Sequence, residues 1–291
     1  MRVLIFGVTG MLGHKLYQRL SDSFDVFGTI RSDFDRVRRF GLFDRDRIID
    51  GLDAADPNAI QSAIEKVRPD CVINAVGVVK QVPASKDVIQ SLMLNAILPQ
   101  RLAELSDKFG YRFITISTDC VFDGTRGCYT EMDTPDARDL YGMSKLLGEI
   151  KEGNCLTLRT SIIGRELESG HSILEWFLRN REPVVNGYTR AIYSGFPTII
   201  LSDLISRLLT GHPSLNGLHH VSSEPISKYE LLTLFRKYFG KEIEINPLEE
   251  YVIDRSLDSS RFRELTGFRP AGWDEMIAQM AADPTTYDSW H

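Results

Sequence analysis

The chain is poor in the residues that staple or metallate a fold. Its 291 residues include four cysteines, Cys71, Cys120, Cys128 and Cys155, with no CxxC pair among them. Without the spacing of a disulfide frame or a zinc site, they read as reduced, partly buried thiols. Six histidines contain no HxxxH or HExxH spacing, and the adjacent His219 and His220 would point to opposite faces of a strand. No metal site is expected. Also missing is an apolar run long enough to span a bilayer, which excludes an integral helical membrane protein. Positive charge is short as well: 34 Lys plus Arg stand against 40 Asp plus Glu, a net charge of −6. That deficit argues against a nucleic-acid coat or a basic membrane-surface protein. Strand-like residues begin at Arg2 and a glycine motif at Gly7, leaving no room for the charged, apolar and cleavage regions of a signal peptide. A cytoplasmic protein is the expectation.

What is present is patterned. Short apolar runs at 3–6, 25–30, 71–76, 113–117 and 155–163 alternate with helical repeats such as Leu12, Leu16 and Leu20, or Ile60 and Ile64. Strand–helix alternation of this kind predicts an α/β protein built on a Rossmann-type, doubly wound parallel sheet. The apolar runs are continuous, as strands covered on both faces require. Beyond about Gly164 the pattern changes. Helices are expected over 171–181 and 202–209, a strand over 218–221, and a last helix from about 273 to 282. Ser227 and Glu230 have capping-box spacing at the start of another helix. The reading is a dinucleotide-binding domain over 1–164 and a smaller C-terminal α/β substrate domain over 165–291, with about 217–223 returning to the first sheet.

Gly7-Val8-Thr9-Gly10-Met11-Leu12-Gly13 follows the first strand and opens a helix. Gly7 permits a tight turn, Gly10 lets backbone amides approach a pyrophosphate, and Gly13 allows the helix to lie close to the strand. The helix N-terminus then offers unpaired N–H groups to the anion. At the end of the second strand stand Arg31 and Ser32, where a NAD site usually carries a carboxylate. An arginine there accommodates a 2′-phosphate, so NADP(H) is preferred, with NAD(H) the second candidate. The competing reading is a solvated loop, since residues 31–47 hold six arginines and four aspartates. Asp53 is a candidate for adenine contact or a loop cap. Ala75, Val76 and Gly77, after the fourth strand, are small enough for a cofactor to lie against their backbone.

Tyr141 and Lys145 sit at i and i+4, on one helical face. A free phenol has a pKa of about 10, and a neighbouring ammonium is expected to lower it toward general acid–base use. Ser117-Thr118-Asp119 ends the fifth strand, where open parallel sheets place their ligands. A Thr118 hydroxyl there could bond a substrate carbonyl while Tyr141 supplies the proton; Asp119 would touch sugar or cap the strand end. Arg159, Arg190 and Arg261 are candidates for a diphosphate, and Trp176, Phe177 and Tyr193 for stacking. Asn95 suits a helix near the site, where it could hold backbone.

GVTGMLG at 7–13, STDCVFDG at 117–124, YGMSK at 141–145 and LRTSIIG at 158–164 together resemble the extended short-chain dehydrogenase/reductases. Within them the chain is similar to the dTDP-4-dehydrorhamnose reductases and related nucleotide-sugar reductases. The resemblance implies NADPH-dependent reduction of the C4 keto group of a nucleoside-diphosphate 4-keto-6-deoxyhexose, in deoxysugar biosynthesis. It implies Tyr141 as proton donor, Lys145 on the nicotinamide ribose and Thr118 aligning the carbonyl, with a homodimer left open. Cys120 departs from the familiar STDYVFDG, as a small hydrophobe expected to pack without chemistry. Two other functions share the resemblance: an NAD(P)-dependent nucleotide-sugar epimerase, and a non-catalytic regulatory subunit of the methionine adenosyltransferase type.

Overall fold

A computed structural model describes residues 1–78 and 87–290 of the chain. Six strands, β1 (Arg2–Phe6), β2 (Asp25–Thr29), β3 (Ile48–Ile49), β4 (Cys71–Asn74), β5 (Arg112–Thr118) and β6 (Cys155–Thr160), and a seventh at Gly217–His220 form one sheet. All its pairings are parallel, in the order β3-β2-β1-β4-β5-β6 with Gly217–His220 outside β6. The late strand therefore returns to the first sheet. The order reverses direction between β1 and β4, and a doubly wound sheet opens its ligand crevice outside the strand ends at that point. Gly7 and Ala75 follow directly from those two ends.

The continuous apolar strands are explained by cover on both faces. Val3 and Ile5 pack with Leu16, Leu20, Leu201 and Ile205 on one side. Leu4 and Phe6 pack with Ile60, Ile64, Leu98 and Leu102 on the other. Helix α1 (Gly13–Ser21) thus shares a layer with the helix Thr198–Gly211. The latter is longer than its apolar run over 202–209 suggested, because Thr198 and Leu201 are buried too.

Downstream, the helix at Ile173–Arg179 is shorter than the expected 171–181, because Ser172 caps it by accepting from the Glu175 N–H. Ser227 and Glu230 form a reciprocal capping box ahead of Lys228–Phe239. A small sheet joins Ile226–Ser227, Ala191–Tyr193 and Ile253–Asp254. Among the described residues no helix is long and apolar enough to cross a membrane.

Candidate active site

The glycine motif forms a cradle whose shape the neighbouring atoms enforce. Gly7 turns the chain with φ +84°, and its N–H donates to Thr29 Oγ1 at 3.2 Å. A Cβ on Gly7 would meet Val76 Cγ2 at 2.7 Å, and one on Gly13 would overlap the Gly7 carbonyl. Packing therefore demands glycine at 7 and 13. Gly10 is under no such demand, since a Cβ there would find nothing nearer than 3.4 Å. Thr9, Gly10 and Met11 are half-buried, and Leu12 precedes a helix start with no side-chain cap and no acidic residue in its first turn. Apart from the His14 N–H, which the Gly10 carbonyl accepts, the N–H groups at the start of α1 and its dipole are thus left for an anion. The donor set fits a dinucleotide pyrophosphate.

Arg31 lies exposed beyond β2, with no hydrogen bond or ion pair among the described residues. In the same loop Arg38, Arg39, Arg45 and Arg47 are ion-paired, to Asp35, Glu168, Asp50 and Asp25 respectively. The Ser32 carbonyl accepts from the Gly51 N–H at 3.2 Å. Asp53 is exposed and its carboxylate accepts from the Ala55 N–H at 2.9 Å, the behaviour of a loop cap. The Val76 N–H donates to the Asn74 side chain, and exposed Gly77 leads into Val78. Asn95 clamps that residue: it accepts from Val78 N–H at 2.9 Å and donates to Val78 O and to Ser144 Oγ, both at 3.1 Å. One buried amide thus ties the β4 loop to the helix Leu140–Leu147, which Asp139 caps by accepting from Gly142 N–H.

That helix carries Tyr141 and Lys145. Its first turn lies against the end of β5, where a Cβ on Gly142 would collide with the Cys120 carbonyl. Thr118 Oγ1 donates to Asp119 Oδ1 at 3.0 Å and accepts from the Cys120 N–H at 3.1 Å. The structure corrects one expectation. Burial, with Cys120 and Asp119 adding to it and Thr118 opposing it, holds the Tyr141 phenol above its ordinary range. The i,i+4 spacing gives proximity to the lysine, but the Lys145 ammonium is turned to the Ile116 carbonyl, 2.7 Å away. Burial also depresses Lys145 to about 8, against the pull of Glu149. At neutral pH Tyr141 keeps its proton and Lys145 its charge.

Sequence reasoning missed what lies beneath and opposite. Glu149, four residues past Lys145, is held by Arg159 through two 2.7 Å bonds and by Ser117 Oγ through a third. Arg159 Nη1 also lies 3.1 Å from His220 Nε2. His219 instead bonds the Asn216 carbonyl, so the histidine pair does point opposite ways. The only advance signal for Glu149 was its helical spacing. Opposite Thr118, the small sheet delivers Tyr193, Lys228 and Arg255 from the ends of its three strands. The Tyr193 hydroxyl is enclosed without a hydrogen-bond partner among the described residues. Arg255 donates to the Phe122 carbonyl at 2.8 Å and sits 3.8 Å from Cys120 Sγ. Lys228 faces Asp119, which offsets part of its burial, while Asp119 is itself pushed up by burial.

Other candidates move. Arg159, 1% exposed and committed to Glu149, is unavailable to a diphosphate. Phe177 is fully buried in the core, whereas Trp176 is exposed. Arg190 is exposed in the turn between Val184–Tyr188 and Ala191–Tyr193, and Arg261 is exposed on the helix Ser260–Thr266. Among the described residues no hydrogen bond or ion pair joins either to the Thr118–Tyr141–Lys145 group.

The sheet order, the glycine cradle and the Tyr141–Lys145 helix against the β5 end make the arrangement of an extended short-chain dehydrogenase/reductase. The chain belongs to the RmlD substrate binding domain family, whose model matches residues 1–285. It is 28% identical to the spore coat polysaccharide biosynthesis protein SpsK of Bacillus subtilis, over 96% of each chain. It is 25% identical to a dTDP-4-dehydrorhamnose reductase of Aggregatibacter actinomycetemcomitans, over 97% of this chain and 98% of that one. The methionine adenosyltransferase 2 subunit beta of Mus musculus is 29% identical, over 79% of this chain and 70% of its own. In structure the chain is similar to a dTDP-4-dehydrorhamnose reductase from Bacillus anthracis in complex with NADP. The TM-score is 0.79 at 23% identity, covering 96% of this chain and 98% of that one.

Proposed function

We propose that the chain is an NADPH-dependent reductase acting on the C4 carbonyl of a nucleoside-diphosphate 4-keto-6-deoxyhexose, as a dTDP-4-dehydrorhamnose reductase does. The observation that carries this reading is the placement of Tyr141 and the buried Lys145 on one helix whose first turn lies against the β5 end at Thr118. A reduction consumes a proton as well as a hydride, and a phenol in that place can supply it. The relatives named for reduction and for polysaccharide biosynthesis support the same chemistry.

When bound, the nicotinamide supplies the hydride, and the chain's own residues do the rest. Gly7, Thr9, Gly10, Met11, Leu12 and Gly13 would hold the pyrophosphate, Arg31 and Ser32 the 2′-phosphate, and 75–77 would lie along the cofactor. Tyr141 directs its O–H at the carbonyl oxygen as negative charge grows there, and the Thr118 hydroxyl, turned from Asp119, supplies a second donor. Tyr141 then gives up its proton. The Lys145 ammonium, held on the Ile116 carbonyl, would stabilise the phenolate left behind and hold the nicotinamide ribose. Asp119, Lys228 and Arg255 form a polar wall whose two cations suit an anionic sugar nucleotide.

Two predictions follow from these roles. Arg31→Ala should weaken NADPH about 10- to 100-fold, the value of a charge-assisted contact, and leave NADH within about twofold. Equal losses in binding titrations of the two cofactors would remove the 2′-phosphate role. As pH rises through about 8, Lys145 loses the proton it needs, so kcat/KM should fall on the alkaline side and level off below. A profile still flat at about pH 10, near the ordinary lysine range, would contradict that role.

The activity itself is tested by generating a dTDP-4-keto-6-deoxyhexose in situ with a dehydratase and following NADPH absorbance. Stoichiometric oxidation with formation of the deoxysugar is expected. A new sugar epimer without net NADPH loss would mean epimerase. No turnover, with tight capture of a methionine adenosyltransferase catalytic subunit, would mean the regulatory role of the subunit beta relatives.

A further inference from the structure

The C-terminal segment 283–290 grips the helix that opens the glycine cradle. Lys15, 3% exposed, pairs with Asp283 and donates to Thr285 Oγ1 at 3.1 Å. Gln18 donates to the same hydroxyl at 3.2 Å. Asp288 is bonded by Arg165, and Trp290 packs edge-on against Phe40 and Tyr287. At the centre stands His14, fully buried, with Nδ1 2.8 Å from the Gly10 carbonyl and Nε2 2.7 Å from the Tyr287 hydroxyl.

The chemistry of the partners fixes the direction of both bonds. A carbonyl only accepts, so His14 Nδ1 carries the hydrogen and donates to Gly10 O. Burial depresses His14 to about 4, leaving it neutral, so Nε2 has a lone pair and accepts from the Tyr287 O–H. The Gly10 carbonyl also accepts from the His14 backbone N–H at 3.1 Å. It is therefore pinned twice, toward the body of α1. In a trans peptide the N–H points opposite to the C=O. Pinning Gly10 O inward therefore aims the Met11 N–H out of the helix start, toward the side where the cradle is open.

We infer that the C-terminal segment is a working part of the cofactor site: Tyr287 holds His14 in the Nδ1–H tautomer, and His14 aims the Met11 N–H at the dinucleotide pyrophosphate. Tyr287 and His14 are positioning residues, acting through the Gly10–Met11 peptide. The inference rests on the proposed dinucleotide function.

The test compares Tyr287→Phe, His14→Leu and His14→Asn with the unmodified full-length protein. Readouts are NADPH affinity by fluorescence titration, affinity for adenosine 2′-monophosphate by competition, and thermal melting without ligand. Tyr287→Phe removes one oxygen and keeps the ring that packs on His14, Lys15 and Trp290. It should weaken NADPH about tenfold and leave adenosine 2′-monophosphate, which has no pyrophosphate, within about twofold. His14→Leu should lose at least as much, and His14→Asn, whose amide can still donate to Gly10 O, should recover most of it. Lower melting temperatures with NADPH affinity unchanged would reduce the segment to a structural brace and overturn the inference. Equal losses for NADPH and adenosine 2′-monophosphate would overturn it too. If the unmodified protein binds neither NADPH nor NADH, the dinucleotide reading itself falls, and the inference with it.

Discussion

Tyr141→Phe should cut turnover by about 10²- to 10⁴-fold while leaving NADPH affinity within about twofold, because it removes one proton and almost no packing. The phenol ring fills its place beside Thr118 and Cys120 in either residue, so the helix Leu140–Leu147 keeps its seat on the β5 end. With phenylalanine the developing alkoxide loses one of its two O–H donors and its proton source together. Thr118 can still donate a hydrogen bond to that oxygen but is a poor proton source, since an alcohol is far less acidic than a phenol. The loss should appear in kcat and kcat/KM alike, as for an interaction made only in the transition state. Turnover surviving within a few-fold would mean that another group supplies the proton, and the enclosed Tyr193 hydroxyl would become the next residue to test.

The second large effect concerns stability. Glu149→Ala leaves the Arg159 guanidinium buried without its carboxylate, and breaking such a pair costs about 3–5 kcal/mol. For a chain of this size that lowers the melting temperature on the order of 10 °C. The two side chains are each 1% exposed, so solvent cannot compensate. Because desolvation offsets much of what a buried pair gains, the double replacement Glu149→Leu with Arg159→Met should be far milder than either single change. Thermal melts of the three variants decide this. If the double variant is as unstable as Glu149→Ala, the penalty comes from lost packing around Ser117 and His220 rather than from an orphaned charge. Lys145 links this network to the chemistry, since Glu149 is the carboxylate that keeps its ammonium from falling further.

What could be read from the sequence was local, and what could not was assembled across the sheet. The cradle is seven consecutive residues after a strand, and its glycines answer to atoms of the same turn or of the adjoining β4 loop. Thr118, Tyr141 and Lys145 were legible for a similar reason: a strand end and one helical turn define them. The direction of the Tyr141 shift was misread because i,i+4 spacing reports a neighbour and says nothing about burial, which dominates here. Arg159 was misread because a guanidinium in an apolar strand gives no hint that its partner lies ten residues earlier, just past the helix Leu140–Leu147. Tyr193, Lys228 and Arg255 come from three separate segments, and only the pairing of Ile226 with Tyr193 and Asp254 with Ile192 gathers them on one wall. The tie between Tyr287 and His14 spans 273 residues, beyond any local pattern.

Hydride delivery to a carbonyl at the Thr118–Tyr141 site would leave its mark on the product. The measurement is a single-turnover reaction of the protein with NADPH carrying deuterium at both C4 positions of the nicotinamide and a dTDP-4-keto-6-deoxyhexose, with the product analysed by NMR. One deuterium at C4 of the sugar, in equal amount to the cofactor oxidised and formed about 10²- to 10⁴-fold more slowly with Tyr141→Phe, is the predicted result. A product carrying no label, or NADPH left unoxidised while the sugar changes, would contradict the account.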